Sequence, residues 1–175
     1  MTSSIHIRPI TEADTDLILT WRNHPSVVMN FIYRSPLTRE DHLHWMRTKV
    51  ESGTVVQFII EAEGCPIGSV YLRDVDKVHQ KAEFGIFLGN ENARGKGYGT
   101  EATRLILKFA FETMGLNRIV LRVFAENERA IRCYEKAGFS REGVFRQDVI
   151  IDGNFYDILF MSILRSEWKG NTQHD

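Results

Sequence analysis

Apolar and polar residues alternate through Ile5, Ile7 and Pro9, which predicts a short first strand over residues 4–10. The period then lengthens. Leu17, Ile18 and Trp21 recur on one helical face behind Thr11, a suitable N-cap, with Glu12 and Asp14 in the first turn, where the helix dipole favours acids. A second helix is predicted after Pro36. Thr38 caps it, Asp41 stands at the capping-box position, and Leu43, Trp45, Met46 and Val50 supply its apolar side. Aspartate is shorter than the usual Glu or Gln there, so the box is expected to be approximate.

The middle of the chain returns to a strand period. Residues 55–61, 66–74 and 81–88 read as three strands joined by short turns containing Glu63-Gly64 and residues 74–79. Ala102, Leu105, Ile106, Phe109, Ala110 and Met114 then recur at helical spacing until Gly115. A strand over 118–124, a helix over 127–137 closed by Gly138, and two strands over roughly 144–151 and 155–164 complete the pattern. Asp152-Gly153 is a strong hairpin signal between the last two. Strands and helices mix without regular alternation, so the predicted class is α+β with a mixed sheet. One domain is expected over residues 1–169, with a disordered tail over 170–175.

Composition narrows the function. A hydrophobic content of 43% and a charged content of 26% are those of a soluble globular protein, and 175 residues can bury a core without disulfides. A net charge of -1 argues against a general nucleic-acid-binding surface. Cys65 and Cys133 match no metal-ligand spacing and read as reduced thiols. The first residues lack an apolar run of signal length, and no run elsewhere is long enough to span a bilayer, so a cytoplasmic location is expected. His42 and His44 would point about 200° apart on a helix, which disfavours a shared metal.

The stretch NARGKGYGTEA, residues 92–102, carries the chemistry. Its glycines let the backbone approach a ligand closely, and the following helix start offers unpaired amides to an anion, most often a phosphate. Arg94 and Lys96 add positive charge. The loop lacks the Lys-Ser/Thr pair of a Walker A motif. It also follows the fourth strand rather than the first, with Thr100 where a dinucleotide fingerprint needs its third glycine.

Arg94-x-x-Gly97-x-Gly99 resembles the Gln/Arg-x-x-Gly-x-Gly/Ala signature of the GNAT N-acetyltransferase superfamily. The later stretch from Asn127 through Ala130 and Tyr134 to Gly138-Phe139 resembles that superfamily's Asn-x-x-Ala-x-x-x-Tyr-x-x-x-Gly-Phe. The resemblance extends from Ile7 to Trp168. It implies a mixed central sheet whose fourth and fifth strands splay apart, flanked by helices, with acetyl-coenzyme A in the gap. The backbone of Phe87 and Leu88 would then pair with the pantetheine arm. Amides of Arg94, Gly95, Lys96, Gly97, Tyr98, Gly99 and Thr100 would hold the pyrophosphate, and Asn127 would bond the arm from the other side. No metal is implied.

Transfer of an acetyl group to an amine needs a neutral amine, donors for the oxyanion and a proton for the departing thiolate. The Leu88 amide is a candidate oxyanion donor. Tyr134 is the candidate acid, because the superfamily's matching tyrosine lies beside the coenzyme A sulfur and a phenol stays protonated at neutral pH. Glu83, leading into the splay, either accepts the amine's proton or is a salt-bridged strand residue. His79 is a weaker base candidate, and Cys133 reads as core filler.

For the acceptor, three subgroups look similar: spermidine N-acetyltransferases, N-terminal alanine acetyltransferases of ribosomal proteins, and acetyltransferases of nucleotide-linked amino sugars. Residues 21–52 carry Arg22, Arg34, Arg39, Arg47 and Lys49 against Glu40, Asp41 and Glu51. That balance suits an amine on an anionic small molecule better than a polyamine. A non-catalytic coenzyme-A-binding module on the same scaffold is the alternative of a different class. The C-terminal hairpin could support a homodimer.

Overall fold

The computed structural model describes residues 5–170. Residues 1–4 and 171–175, and with them most of the expected tail, lie outside the described residues. Seven strands form one sheet: β1 (Ile5–Pro9), β2 (Val56–Ala62), β3 (Cys65–Asp76), β4 (Lys81–Leu88), β5 (Arg118–Phe124), β6 (Ser140–Ile151) and β7 (Asn154–Leu164), in the order β1-β2-β3-β4-β5-β7-β6. Only β4 and β5 run parallel; every other neighbouring pair is antiparallel. The mixed sheet therefore matches expectation.

Five α-helices cover it: α1 (Thr15–Arg22), α2 (Pro25–Val28), α3 (Arg39–Trp45), α4 (Tyr98–Lys108) and α5 (Glu128–Ala137). The alternation of each strand divides the core in two. On one face Phe58, Val70, Leu72, Phe84, Ile119 and Leu121 pack with Ile106, Leu107 and Ile131 of α4 and α5. On the other, Ile59 and Phe87 meet Ile18 and Trp21 of α1, Val27 of α2 and Met46, just after α3. Each fully buried aliphatic or aromatic side chain contributes about 1.5–3 kcal/mol.

The helix starts follow local chemistry. Thr11 donates its N–H to Asp14 Oδ2 at 2.9 Å, and Arg8 grips both Asp14 oxygens at 2.8 and 2.9 Å, tying β1 to the entry of α1. At α3 the Asp41 N–H donates to Thr38 Oγ1, and the Thr38 N–H donates to Asp41 Oδ2, both at 3.1 Å, so the shorter aspartate closes the box. Helix α2 was not predicted. Its signals are Pro25 at the first position and His24 Nδ1 accepting from the Ser26 N–H at 3.2 Å. Strand β6 begins at Ser140, four residues before the predicted start at 144, because Ser140 and Arg141 find partners in Ser162 and Met161 of β7.

Candidate active site

Strands β4 and β5 are paired only at Lys81–Arg118, Ala82–Ile119 and Glu83–Val120. Beyond that point they part. β4 remains bonded to β3 as far as Leu88, and β5 to β7 as far as Phe124, so two unpaired strand edges face each other across a gap. A cleft of about 520 Å³ runs through the opening, a size typical of small-molecule sites. The two edges fit the extended arm of a coenzyme, which would supply the missing strand partner.

The phosphate-binding candidates lie at the wide end. Gly97 stands at the N-cap of α4 with φ +85°, a left-handed conformation that a side chain would resist. The first turn-to-helix bond runs from the Glu101 N–H to the Gly97 carbonyl, which leaves the amides of Tyr98, Gly99 and Thr100 without intrahelical acceptors. The Arg94 amide is spent on the Glu91 carbonyl at 3.1 Å. Its guanidinium braces the loop, donating to the Leu88 carbonyl and Ser26 Oγ, both at 3.1 Å. Gly95, Gly97, Gly99 and Thr100 line the cleft. The Lys96 side chain is exposed, and the Tyr98 ring is buried in the core beneath the loop.

Asn127 lines the cleft from the opposite wall. Its Oδ1 caps α5 by accepting from the Ala130 N–H at 3.2 Å, which leaves its side-chain NH2 to donate to a ligand. Two turns further along α5, Tyr134 lines the cleft. Its ring stands edge-on to Phe84 and Phe139, with centroids 5.7 and 6.1 Å apart. Burial, and then its neighbours Cys133 and Tyr71, push the phenol above its ordinary value. It is therefore neutral at any physiological pH.

Glu83 sits at the narrow end, where the strands separate. Its Oε1 accepts from Arg73 Nη2 at 2.8 Å and from Arg122 Nε at 2.9 Å. Arg73 is its direct partner on β3, and Arg122 lies two residues beyond Val120, its partner on β5. Of the two sequence alternatives, the salt-bridged strand residue is present; the second oxygen, Oε2, has no hydrogen bond to any described residue. Tyr71, Arg73, Glu83, Gly85 and Phe87 share one face of the sheet, the face under α1 and α2, whereas Tyr134 packs on Phe84 from the other. The cleft thus joins two half-sites through the sheet.

Several expected residues lie elsewhere. His79 is in an exposed turn, with its N–H on Asp76 Oδ1 at 2.9 Å. His42 is buried against Thr15 Oγ1, while His44 is exposed. Cys133, read as core filler, is instead half-buried in the lining of the cleft, 3.3 Å from Thr100 Oγ1. None of the five cations counted over 21–52 lines the cleft. Arg39 pairs with Asp16, Arg22 stacks on Phe31 at 3.7 Å, Arg34 bonds the Met29 carbonyl at 2.7 Å, and Arg47 and Lys49 face solvent. The cations that do line it include Arg73 and Arg122, which sequence reasoning passed over. Arg122 was detectable as a charge inside the apolar run IVLRVF; Arg73 required the β3–β4 register.

A strand pair parted over a glycine-rich helix start, with a tyrosine aimed into the gap, defines an acyl-coenzyme A site. The Acetyltransferase (GNAT) domain model matches residues 4–140, and the chain belongs to the GNAT acetyltransferase family. It is 30% identical over 166 residues to spermidine N(1)-acetyltransferase of Escherichia coli (strain K12), across 94% of this chain and 88% of that protein. It is 28% identical over 175 residues to the enzyme of the same name from Vibrio cholerae serotype O1, across 99% and 100%. The crystal structure of spermidine N-acetyltransferase from Vibrio cholerae in complex with CoA and spermine superposes with a TM-score of 0.87 at 25% identity, covering 93% of this chain and 96% of that one. The protein is an acetyl-CoA-dependent N-acetyltransferase.

Proposed function

We propose that the acceptor is a primary amine on a small molecule that also carries negative charge, such as a nucleotide-linked amino sugar. The observation supporting this reading is the charge of the half-site beneath α1 and α2. There Arg73 and Arg122 line the cleft with a single carboxylate, Glu83, between them. A polyamine carries several ammonium groups and would meet two guanidinium groups with one acid to offset them.

When bound, acetyl-CoA supplies the acetyl thioester. The amides of Tyr98, Gly99 and Thr100, with the α4 dipole behind them, hold its pyrophosphate. The backbone of Phe87 and Leu88 lies along the arm, and the Asn127 side-chain NH2 donates from the opposite wall. The Leu88 N–H is the proposed oxyanion donor, a contribution of about 2.7–4 kcal/mol in comparable acyl-transfer sites. Glu83 Oε2 receives the proton of the entering ammonium, directly or through one water, and the Tyr134 phenol donates to the departing sulfur.

A second reading is favoured by the similarity to spermidine N-acetyltransferases over nearly the whole chain. Thiol release from acetyl-CoA separates the two when measured with UDP-linked amino sugars, spermidine, spermine and peptides beginning with alanine. The expected order places a UDP-linked amino sugar first. Ready acetylation of spermidine with no turnover of the amino sugars would replace the first reading by the second.

A further inference from the structure

We infer that Arg73 and Arg122, aligned by Glu83, form an anion-binding subsite that selects acceptors whose phosphate lies within one sugar ring of the reacting amine. The inference deepens the anionic-acceptor reading and rests on it.

Three adjacent strands supply three charges in a row. Register sets Arg73 opposite Glu83, and the parting of β4 from β5 brings Arg122 to the same carboxylate. Both bonds converge on Oε1. Each guanidinium carries five N–H donors in a planar fork, and the shared carboxylate takes one from each. Arg122 donates only through Nε to a described residue, so both of its terminal nitrogens are available. Both side chains are mostly covered, at 27% and 22% exposure, yet both line the cleft. Glu83 therefore fixes the orientation of two cations; the exposed Asp74 carboxylate lies 3.9 Å from Arg73 Nε and is screened by solvent, so the charge left over is mainly that of Arg122. Planar donor forks of this kind match phosphate better than a single ammonium would.

The coenzyme's own phosphates do not account for the pair. Glu83 and Leu88 are five residues apart on β4, so the arginines lie roughly 16 Å along the strand from its end at Leu88, before the glycine loop begins. They are also on the α1–α2 face, away from α5. A second anion is needed to use them.

The second oxygen of Glu83 sets the spacing. Oε1 is held by both arginines, which leaves Oε2 for the amine, so amine and phosphate would lie on either side of one carboxylate. A monosaccharide ring bearing both groups spans that separation. A peptide N-terminus without a nearby acid does not satisfy it.

The test compares glucosamine, glucosamine 6-phosphate and UDP-linked glucosamine as acceptors for the wild-type protein, Arg73→Gln and Arg122→Gln. Coenzyme A affinity and melting temperature are measured alongside. The wild type is expected to favour a phosphorylated acceptor over glucosamine by at least tenfold in kcat/KM. Each glutamine variant is expected to raise KM for that acceptor at least tenfold more than it raises KM for glucosamine, with coenzyme A affinity retained. Arg73→Lys and Arg122→Lys, which keep the charge and lose the fork, should fall between. Turnover of phosphorylated acceptors that is indifferent to all four substitutions would overturn the subsite while leaving the anionic-acceptor reading intact. Absence of turnover with every phosphorylated amine, alongside robust acetylation of spermidine, would overturn that reading itself. If glutamine variants fail to fold, the lysine variants and UDP titration of the wild-type coenzyme A complex decide the matter: no UDP binding would sink the subsite.

Discussion

Tyr71 lies directly across from Gly85, and its ring occupies the space that any side chain at 85 would need. A Cβ there would stand 2.3 Å from Tyr71 Cζ and 2.4 Å from its hydroxyl oxygen. The strand glycine lets one aromatic ring lie flat against the backbone at the mouth of the gap. Gly85→Ala must therefore push Tyr71 into the cleft. Turnover is expected to fall at least tenfold, with a stability loss of about 1–3 kcal/mol from overpacking. Steady-state kinetics and urea unfolding measure the two effects; unchanged kinetics would mean that Tyr71 does not border the reacting groups.

Tyr134→Phe removes the phenolic proton and keeps the ring that packs on Phe84 and Phe139. Turnover is expected to drop at least tenfold while coenzyme A still binds. Burial holds the native phenol above its ordinary value of 10.0, so its charged form is absent below that pH. The wild-type pH–rate profile should accordingly show no alkaline fall attributable to Tyr134 up to about pH 10. A decline there that disappears in the phenylalanine variant would contradict this assignment.

Asn127 combines a helix cap with a proposed ligand contact, and two substitutions separate them. Asn127→Ala loses the bond to the Ala130 N–H and is expected to cost about 1 kcal/mol. Asn127→Asp retains a capping oxygen and lacks the NH2 donor. It should unfold near the wild-type urea midpoint while binding acetyl-CoA several-fold more weakly. Equal coenzyme affinity in Asn127→Asp and wild type would remove the side-chain NH2 from the binding account.

The elements that could be read from the sequence are those with strong local signals. Alternation marked β4, the Asp152-Gly153 turn marked the last hairpin, and Thr38 with Asp41 marked α3. Loop and helix start were legible at Gly97 because glycine spacing there reflects a local backbone need. The half-site beneath α1 and α2 was not. Its charges come from β3, β4 and β5, and only strand register and the three-pair contact between β4 and β5 bring them to one carboxylate. Counting charge over residues 21–52 missed this, because Arg39 is used within the helical layer and Arg47 and Lys49 point outward.

A pH dependence of stability follows from the other end of the sheet. Arg118 on β5 and Ser162 on β7 both hold Glu142 of β6, through bonds that include Arg118 Nη2 to Oε2 at 2.8 Å. The arginine first, and the hydroxyl second, lower the Glu142 carboxyl from 4.5 to about 2. In the unfolded chain those bonds are gone and the ordinary value returns. The folded state thus binds the proton less readily, so this contribution is complete above about pH 4.5 and disappears as pH falls towards 2. Both side chains are partly exposed, so the effect is modest and shrinks in high salt. The change in urea midpoint between pH 6 and pH 3 should be larger for wild type than for Glu142→Gln, which cannot titrate. Equal changes in the two proteins would show that the β5–β6–β7 junction gains nothing from this charge.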